Sequence, residues 1–65
     1  KCRISILMAE HEQAEEIAEL IRARDVSERV AASTFAAAGI DVTGQMVRNH
    51  RLNTCVTCRD LGYVW

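Results

Sequence analysis

Three cysteines and two histidines give this chain of 65 residues side chains that commonly bind zinc. Cys55 and Cys58 form a C-x-x-C pair, in which two thiolates from one tight turn can coordinate a single Zn²⁺. His50 precedes this pair in a His-x4-Cys-x2-Cys run, and Cys2 supplies a fourth ligand if the N-terminus returns beside it. We therefore predict a structural zinc site formed by Cys2, His50, Cys55 and Cys58 that links the two ends of the chain.

Other interpretations of these side chains remain open at the level of sequence. Cys55 and Cys58 could form a redox dithiol, although that chemistry usually requires a thioredoxin-like βαβ context, and the sequence predicts no strands for it. The cysteines could also be free thiols without a ligand. His11 is the substitute ligand for His50, but glutamates flank it and favour a solvated position.

A chain of this size has a small core, so a zinc cross-link between its ends would add stability that the core alone lacks. Domains of about 60 residues bury only roughly 60% of the surface that their unfolded chains expose. Much of the 49% hydrophobic content is alanine, and the aromatic residues are Phe35, Tyr63 and Trp65. We predict a single domain over residues 1–65 with Phe35 at the centre of a thin core. Residues 58–65 are expected to form an ordered tail that covers this core, or alternatively a segment that docks on a partner.

Apolar residues recur at intervals of three and four between positions 14 and 21, which predicts an amphipathic helix over residues 8–24. Residues 1–7 alternate weakly, but they are too short to form a sheet alone and are expected to lead into this helix. A second helix begins near Val26 if Asp25 is its N-cap, with Ser27 as the alternative cap one step later.

The centre of the sequence has the features of a helix-turn-helix. Gly39 is suited to end the second helix with positive φ, and Thr43 can cap a third helix over residues 44–52. Val47 can anchor that helix to the core. The expected fold class is all-α, a three-helix helix-turn-helix domain cross-linked at its ends by zinc.

The third helix carries polar side chains that are expected to face outward: Gln45, Arg48, Asn49 and Arg51. Such side chains can bond to base edges or phosphates, so double-stranded DNA is the predicted partner. A single helix-turn-helix offers about 600–1,000 Å² of interface, which implies a homodimer or a larger assembly.

The chain resembles a group of small helix-turn-helix proteins common in actinobacteria and their phages. The resemblance rests on Cys2, on the Glu-rich segment Ala14–Ile21 and on Val47–Arg51 (Val-Arg-Asn-His-Arg), which cysteines follow. It implies sequence-specific DNA binding, as in small phage regulators or terminase-type recognition modules. The matching DNA-facing positions are Arg48, Asn49 and Arg51.

The overall charge favours a different kind of partner. The chain has a formal net charge of −1 and a pI near 6.1, whereas DNA-binding domains usually carry a basic footprint. Residues 26–65 are mildly basic, with four arginines against three carboxylates. The alternative is a zinc-linked protein–protein interaction module that docks on a transcription or assembly complex.

The sequence argues against an enzyme and against a membrane span. It offers no nucleophile–base pair, and a zinc held by four protein ligands has no open position for a reacting water. No run of 18 apolar residues occurs, so we expect no contact with a membrane and a cytoplasmic location.

Overall fold

The computed structural model describes residues 2–65, and Lys1, the first residue of the predicted domain, lies outside them. The described residues form helices only, which confirms the all-α prediction. They contain five helices where three were expected, and within them no helix is both long and apolar enough to cross a lipid bilayer. In chain order the helices are α1 (Arg3–Glu10), α2 (Ala14–Arg22), α3 (Glu28–Ala37), α4 (Gly44–Arg51) and α5 (Val56–Asp60).

The prediction of one continuous helix over residues 8–24 was wrong, because the chain breaks at His11. The backbone of His11 is extended, and its N–H donates to the Leu7 carbonyl oxygen at 2.8 Å, which ends α1. The His11 ring then accepts from the Gln13 N–H at 3.0 Å just before α2 begins. The break allows α1 to fold back on α2, so that Ile4 is completely buried.

The start of α3 uses the second of the two predicted caps. The Ser27 hydroxyl oxygen accepts from the Val30 N–H at 3.1 Å, and the helix begins at Glu28. The N–H of Val26 instead donates to the Ala23 carbonyl oxygen at 3.0 Å in the preceding turn. The cap predicted at Asp25 is therefore not used.

The turn between α3 and α4 agrees closely with its prediction. Gly39 has φ +75°, its N–H donates to Ala36, and the Ile40 N–H donates to Phe35 at 2.8 Å, which is a Schellman motif. The Thr43 hydroxyl oxygen accepts from the Met46 N–H at 3.2 Å and caps α4. Both helix ends are satisfied locally, so the turn fixes the direction of α4 relative to α3.

The core lies where α2, α3 and α4 meet, and α1, α5 and the tail close over it. Phe35 is only 2% exposed, as expected, and Val47 anchors α4 with no exposed surface. The tail returns to this core through Trp65, whose backbone N–H donates to the Asn53 side-chain oxygen at 3.0 Å. The buried apolar residues are Ile4, Ile17, Ala18, Ile21, Ala31, Phe35, Ile40, Val42, Val47, Cys58 and Trp65.

Candidate metal centre

The structure brings all four predicted zinc ligands together. The ligand atoms of Cys2, His50, Cys55 and Cys58 lie within 4.8 Å of one another. The sulfur of Cys2 is 3.1 Å from His50 Nε2 and 3.6 Å from the sulfur of Cys58. Three thiols and an imidazole at this spacing can surround one metal ion, which makes the cluster a candidate metal centre.

The four ligands come from three parts of the fold. Cys2 immediately precedes α1, and His50 lies in the last turn of α4. Cys55 is the N-cap residue of α5, and Cys58 lies within that short helix. A bound ion would therefore fasten α1 and α5 to the C-terminal end of α4.

The His50 ring is oriented for coordination by its own helix. Its Nδ1 lies 2.6 Å from the Met46 carbonyl oxygen, one turn earlier. If Nδ1 carries a proton and donates it to this carbonyl, Nε2 would be available to coordinate an ion placed beside the sulfur of Cys2. The ring is 4% exposed and packs against the edge of Trp65, with the two ring centroids 6.0 Å apart. The Met46 carbonyl oxygen is therefore placed to accept the Nδ1 proton when Nε2 binds a metal.

The three thiols do not share one protonation state. Burial raises the pKa of Cys2, but hydrogen bonds from the Ser5 backbone, from His50 and from the other two thiols outweigh it and lower this pKa to about 6. Burial raises the pKa of Cys58, and hydrogen bonds and negative charge from Cys2 and Cys55 raise it further. The surroundings of the cluster therefore favour the thiolate form at Cys2 over the thiolate form at Cys58.

The cluster is closed on one side and open on the other. Cys58 and His50 are buried, whereas Cys2 and Cys55 are half-buried. The two half-buried thiols line an open concavity of about 540 Å³, whose other lining residues are Arg3, Met46, Asn49, His50, Thr54 and Thr57. Solutes of small size can therefore reach two of the three sulfur atoms.

His11, the alternative ligand, lies outside the cluster. Its Nδ1 accepts from the Gln13 N–H in the break between α1 and α2. The choice between the two histidines that the sequence left open is therefore decided in favour of His50 by position.

Three of the four predicted DNA-facing residues lie on the exposed side of α4. Gln45, Arg48 and Asn49 are exposed, while Val47 and His50 on the opposite side are buried. The Gln45 side-chain amide donates to the Asn49 side-chain oxygen at 3.0 Å, one helical turn apart. The exposed face of α4, defined by Gln45, Arg48 and Asn49, is thus polar and carries one positive charge.

Arg51, the fourth predicted residue, points inward, and the expectation that it faces outward was wrong. Its Nε donates to the Ile21 carbonyl oxygen at 2.6 Å, and its Nη2 donates to those of Leu20 and Ala23 at 3.2 and 2.9 Å. The last carbonyl groups of a helix lack partners within the helix, and a cation there also complements the helix dipole. Arg51 therefore caps the C-terminal end of α2.

Sequence reasoning also missed Met46 and Trp65 as parts of the metal centre. The contact of the His50 ring with the Met46 carbonyl oxygen gave no distinctive signal, because every residue within a helix has a carbonyl one turn earlier. The contact of Trp65 with His50 had no local signal, since it depends on the path of the whole chain.

A scan against models of protein families matches no family, and searches of curated proteins and of solved structures find no protein similar to this chain. The fold and the site alone therefore define its class, a small all-helical domain with a cluster of three cysteines and one histidine.

Proposed function

We propose that this protein is a zinc-stabilised DNA-binding module in which α4 enters the major groove of double-stranded DNA. The observation that carries the proposal is the division of α4 into two faces. One face is exposed and presents Gln45, Arg48 and Asn49, and the other is buried and contributes His50 to the metal centre. The exposed face is free for a partner, while the opposite face holds the helix in place.

Zinc is the proposed metal because of the ligand chemistry. Three thiolates and one imidazole form a soft, four-ligand set that suits tetrahedral Zn²⁺, whereas Ca²⁺ and Mg²⁺ prefer oxygen ligands. Elemental analysis of protein purified without added metal tests this assignment. We expect one zinc per chain and a Co²⁺-substituted form with the absorption bands of tetrahedral thiolate coordination. Protein that binds neither ion would refute the zinc site.

The proposed DNA contacts follow from the side-chain chemistry of α4. Arg48 can bond to guanine or to a phosphate, and Asn49 and Gln45 can bond to base edges with their amides. The Schellman motif and the Thr43 cap support this role, because they fix the position of α4 relative to α3, which packs against it. The resemblance to small helix-turn-helix proteins of actinobacteria and their phages suggests the same function.

Binding to a pool of labelled duplexes over a range of salt concentrations tests the DNA proposal. Neutralisation of phosphates makes affinity fall steeply with salt, with a log–log slope of about −0.9 per phosphate contact. The Arg48→Ala, Asn49→Ala double variant should lose binding and keep its helicity. Arg29→Ala, which removes an exposed charge from α3, is the matched control and should bind like the parent. Unchanged affinity of the double variant would refute the role of α4.

A protein–protein interaction module is the second candidate, and one observation favours it. Large apolar side chains after α4 are between 57% and 71% exposed, and the net charge of the chain is −1. Docking of apolar surface on a transcription or assembly complex depends little on salt, so the salt series also separates the two candidates. These exposed side chains are Leu52, Val56, Leu61 and Val64.

A further inference from the structure

The cluster of candidate ligands contains a pair of thiols that the sequence does not suggest as partners. The sulfur atoms of Cys2 and Cys58 are in contact at 3.6 Å, although the two residues are 56 positions apart in the chain. A disulfide bond has a sulfur–sulfur length of about 2 Å, so an approach of about 1.5 Å would bring these atoms to bonding distance. The C-x-x-C motif would have indicated Cys55 and Cys58 instead.

Access to the cluster determines which thiol meets an oxidant first. Cys2 and Cys55 are both half-buried and line the open concavity, whereas Cys58 is 1% exposed and does not line it. Of the two accessible thiols, Cys2 is the one whose sulfur is in contact with that of Cys58 at 3.6 Å. Hydrogen peroxide in the concavity can react with Cys2. The buried thiol of Cys58 then acts as the resolving thiol that attacks the oxidised Cys2. Proximity held by the fold makes the second step intramolecular and therefore fast.

We infer that Cys2 and Cys58 are a redox modification site, at which hydrogen peroxide forms a disulfide that replaces the metal as the link between the chain ends. In the first step the Cys2 sulfur attacks one peroxide oxygen, the O–O bond breaks, and the other oxygen leaves as water after taking up a proton. In the second step the Cys58 sulfur attacks the Cys2 sulfenic acid, and its hydroxyl leaves as water with the Cys58 proton.

The two steps balance as two thiols and one hydrogen peroxide giving one disulfide and two waters. The reaction consumes two of the four ligands, so a bound metal ion would keep only His50 and Cys55 and would leave. A reductant that restores the thiols restores the site. The disulfide also closes a loop of nearly the whole chain, and such long loops remove much conformational entropy from the unfolded state.

The test uses the full chain, reduced, both as purified and after treatment with a chelator. Each sample is exposed to hydrogen peroxide, and intact mass is followed for the loss of two hydrogen atoms. Trypsin cleaves after Arg3, Arg51 and Arg59 and leaves Cys55 and Cys58 in one peptide. Fragmentation of that peptide between its two cysteines identifies the one that is linked to the Cys2 peptide.

We expect the crosslink to join Cys2 and Cys58 in both samples, with slower reaction when metal is present. If the chain holds no metal, the two samples react alike, and the assignment of the disulfide is unaffected. A disulfide between Cys55 and Cys58 in the parent chain would overturn the inference.

Two serine variants form a matched pair, because each removes one cysteine of the C-x-x-C motif. After treatment of every sample with a chelator, Cys55→Ser should form the intramolecular disulfide within about twofold of the parent rate, whereas Cys58→Ser should be slower by about tenfold or more, since it lacks the resolving thiol at contact distance. Equal rates for the two variants would overturn the inference. If either variant fails to fold, the mapped disulfide of the parent chain still decides the question.

Discussion

The guanidinium of Arg51, at the end of α4, donates to the carbonyl oxygen of Ile21 in α2 over 2.6 Å, and its second nitrogen reaches two further carbonyl groups of the same helix end. Arg51 thus joins the helix that carries His50 to the helix beside it. The neighbouring Arg48 is exposed on α4. Two arginines one turn apart therefore have different roles, one structural and one available to a partner.

Replacement of Arg51 by alanine should destabilise the fold. Charge-assisted hydrogen bonds to the end of α2 are lost, and a destabilisation of about 1–3 kcal/mol is expected. Urea unfolding followed by circular dichroism measures it. Arg48→Ala is the control and should change stability by less than about 0.5 kcal/mol, as is usual for exposed side chains. Equal losses in the two variants would contradict the capping role.

Replacement of His50 by alanine should weaken zinc binding strongly. Loss of a residue that only supports a ligand usually costs about 10–100-fold in metal affinity, and loss of the ligand itself should cost more. The reason is the loss of a ligand whose ring lies against the Met46 carbonyl oxygen at 2.6 Å. Competition with a chromophoric chelator measures the affinity. His11→Ala is the matched control, because His11 lies outside the cluster, and its zinc affinity should equal that of the parent. A weakened His11→Ala variant would refute the assignment of His50.

The association constant for zinc should rise with pH, and a plot of its logarithm against pH should change slope near the pKa of Cys2. Burial and the negative neighbours of Cys58 raise its pKa, so zinc must displace a proton from it at neutral pH. The pKa of Cys2 is lowered to about 6, so zinc has to displace a proton from Cys2 as well only when the pH is below that value. The association constant should therefore decline more steeply below about pH 6 than above it.

Zinc competition titrations at a series of pH values test this dependence. In Cys2→Ser the overall affinity falls, and the change of slope near pH 6 should disappear. A change of slope that persists in this variant would assign it to a group other than Cys2.

Replacement of Gly39 by alanine should cost about 1 kcal/mol, because Gly39 has φ +75° and an L-residue is strained there. Space is not the cause, since no atom lies within 4 Å of the position that a Cβ would take. Gly44→Ala is the control within α4. Its Cβ would meet the Glu28 carbonyl oxygen at 3.6 Å, an ordinary contact, so stability should be unchanged or higher. Thermal unfolding that shows equal effects would contradict this explanation.

Local features of the fold could be predicted from the sequence, because their causes lie within a few residues. Gly39 ends α3, and Thr43 starts α4, through hydrogen bonds to backbone groups no more than a few positions away. The burial of Phe35 followed from the spacing of apolar residues along the helix. The four ligands were recognised from their chemistry and from the short spacing of His50, Cys55 and Cys58.

Features that depend on distant parts of the chain could not be predicted in this way. The expected helix ran through His11, whereas the chain breaks there between α1 and α2, and the break accompanies the burial of Ile4 in the core. Arg51 lies among outward-facing polar residues in the sequence, and it turns inward because the carbonyl groups of α2 end beside it.

The sequence by itself determined that this chain is helical, where its central turn lies and which side chains can bind a metal. The tertiary structure alone decided that Cys2 meets Cys58, that Trp65 covers His50 and that Arg51 caps α2. The physical reason is the range of the interactions. Caps and periodicity act over a few residues, whereas the metal centre forms only when the packed core returns both ends of the chain to one place.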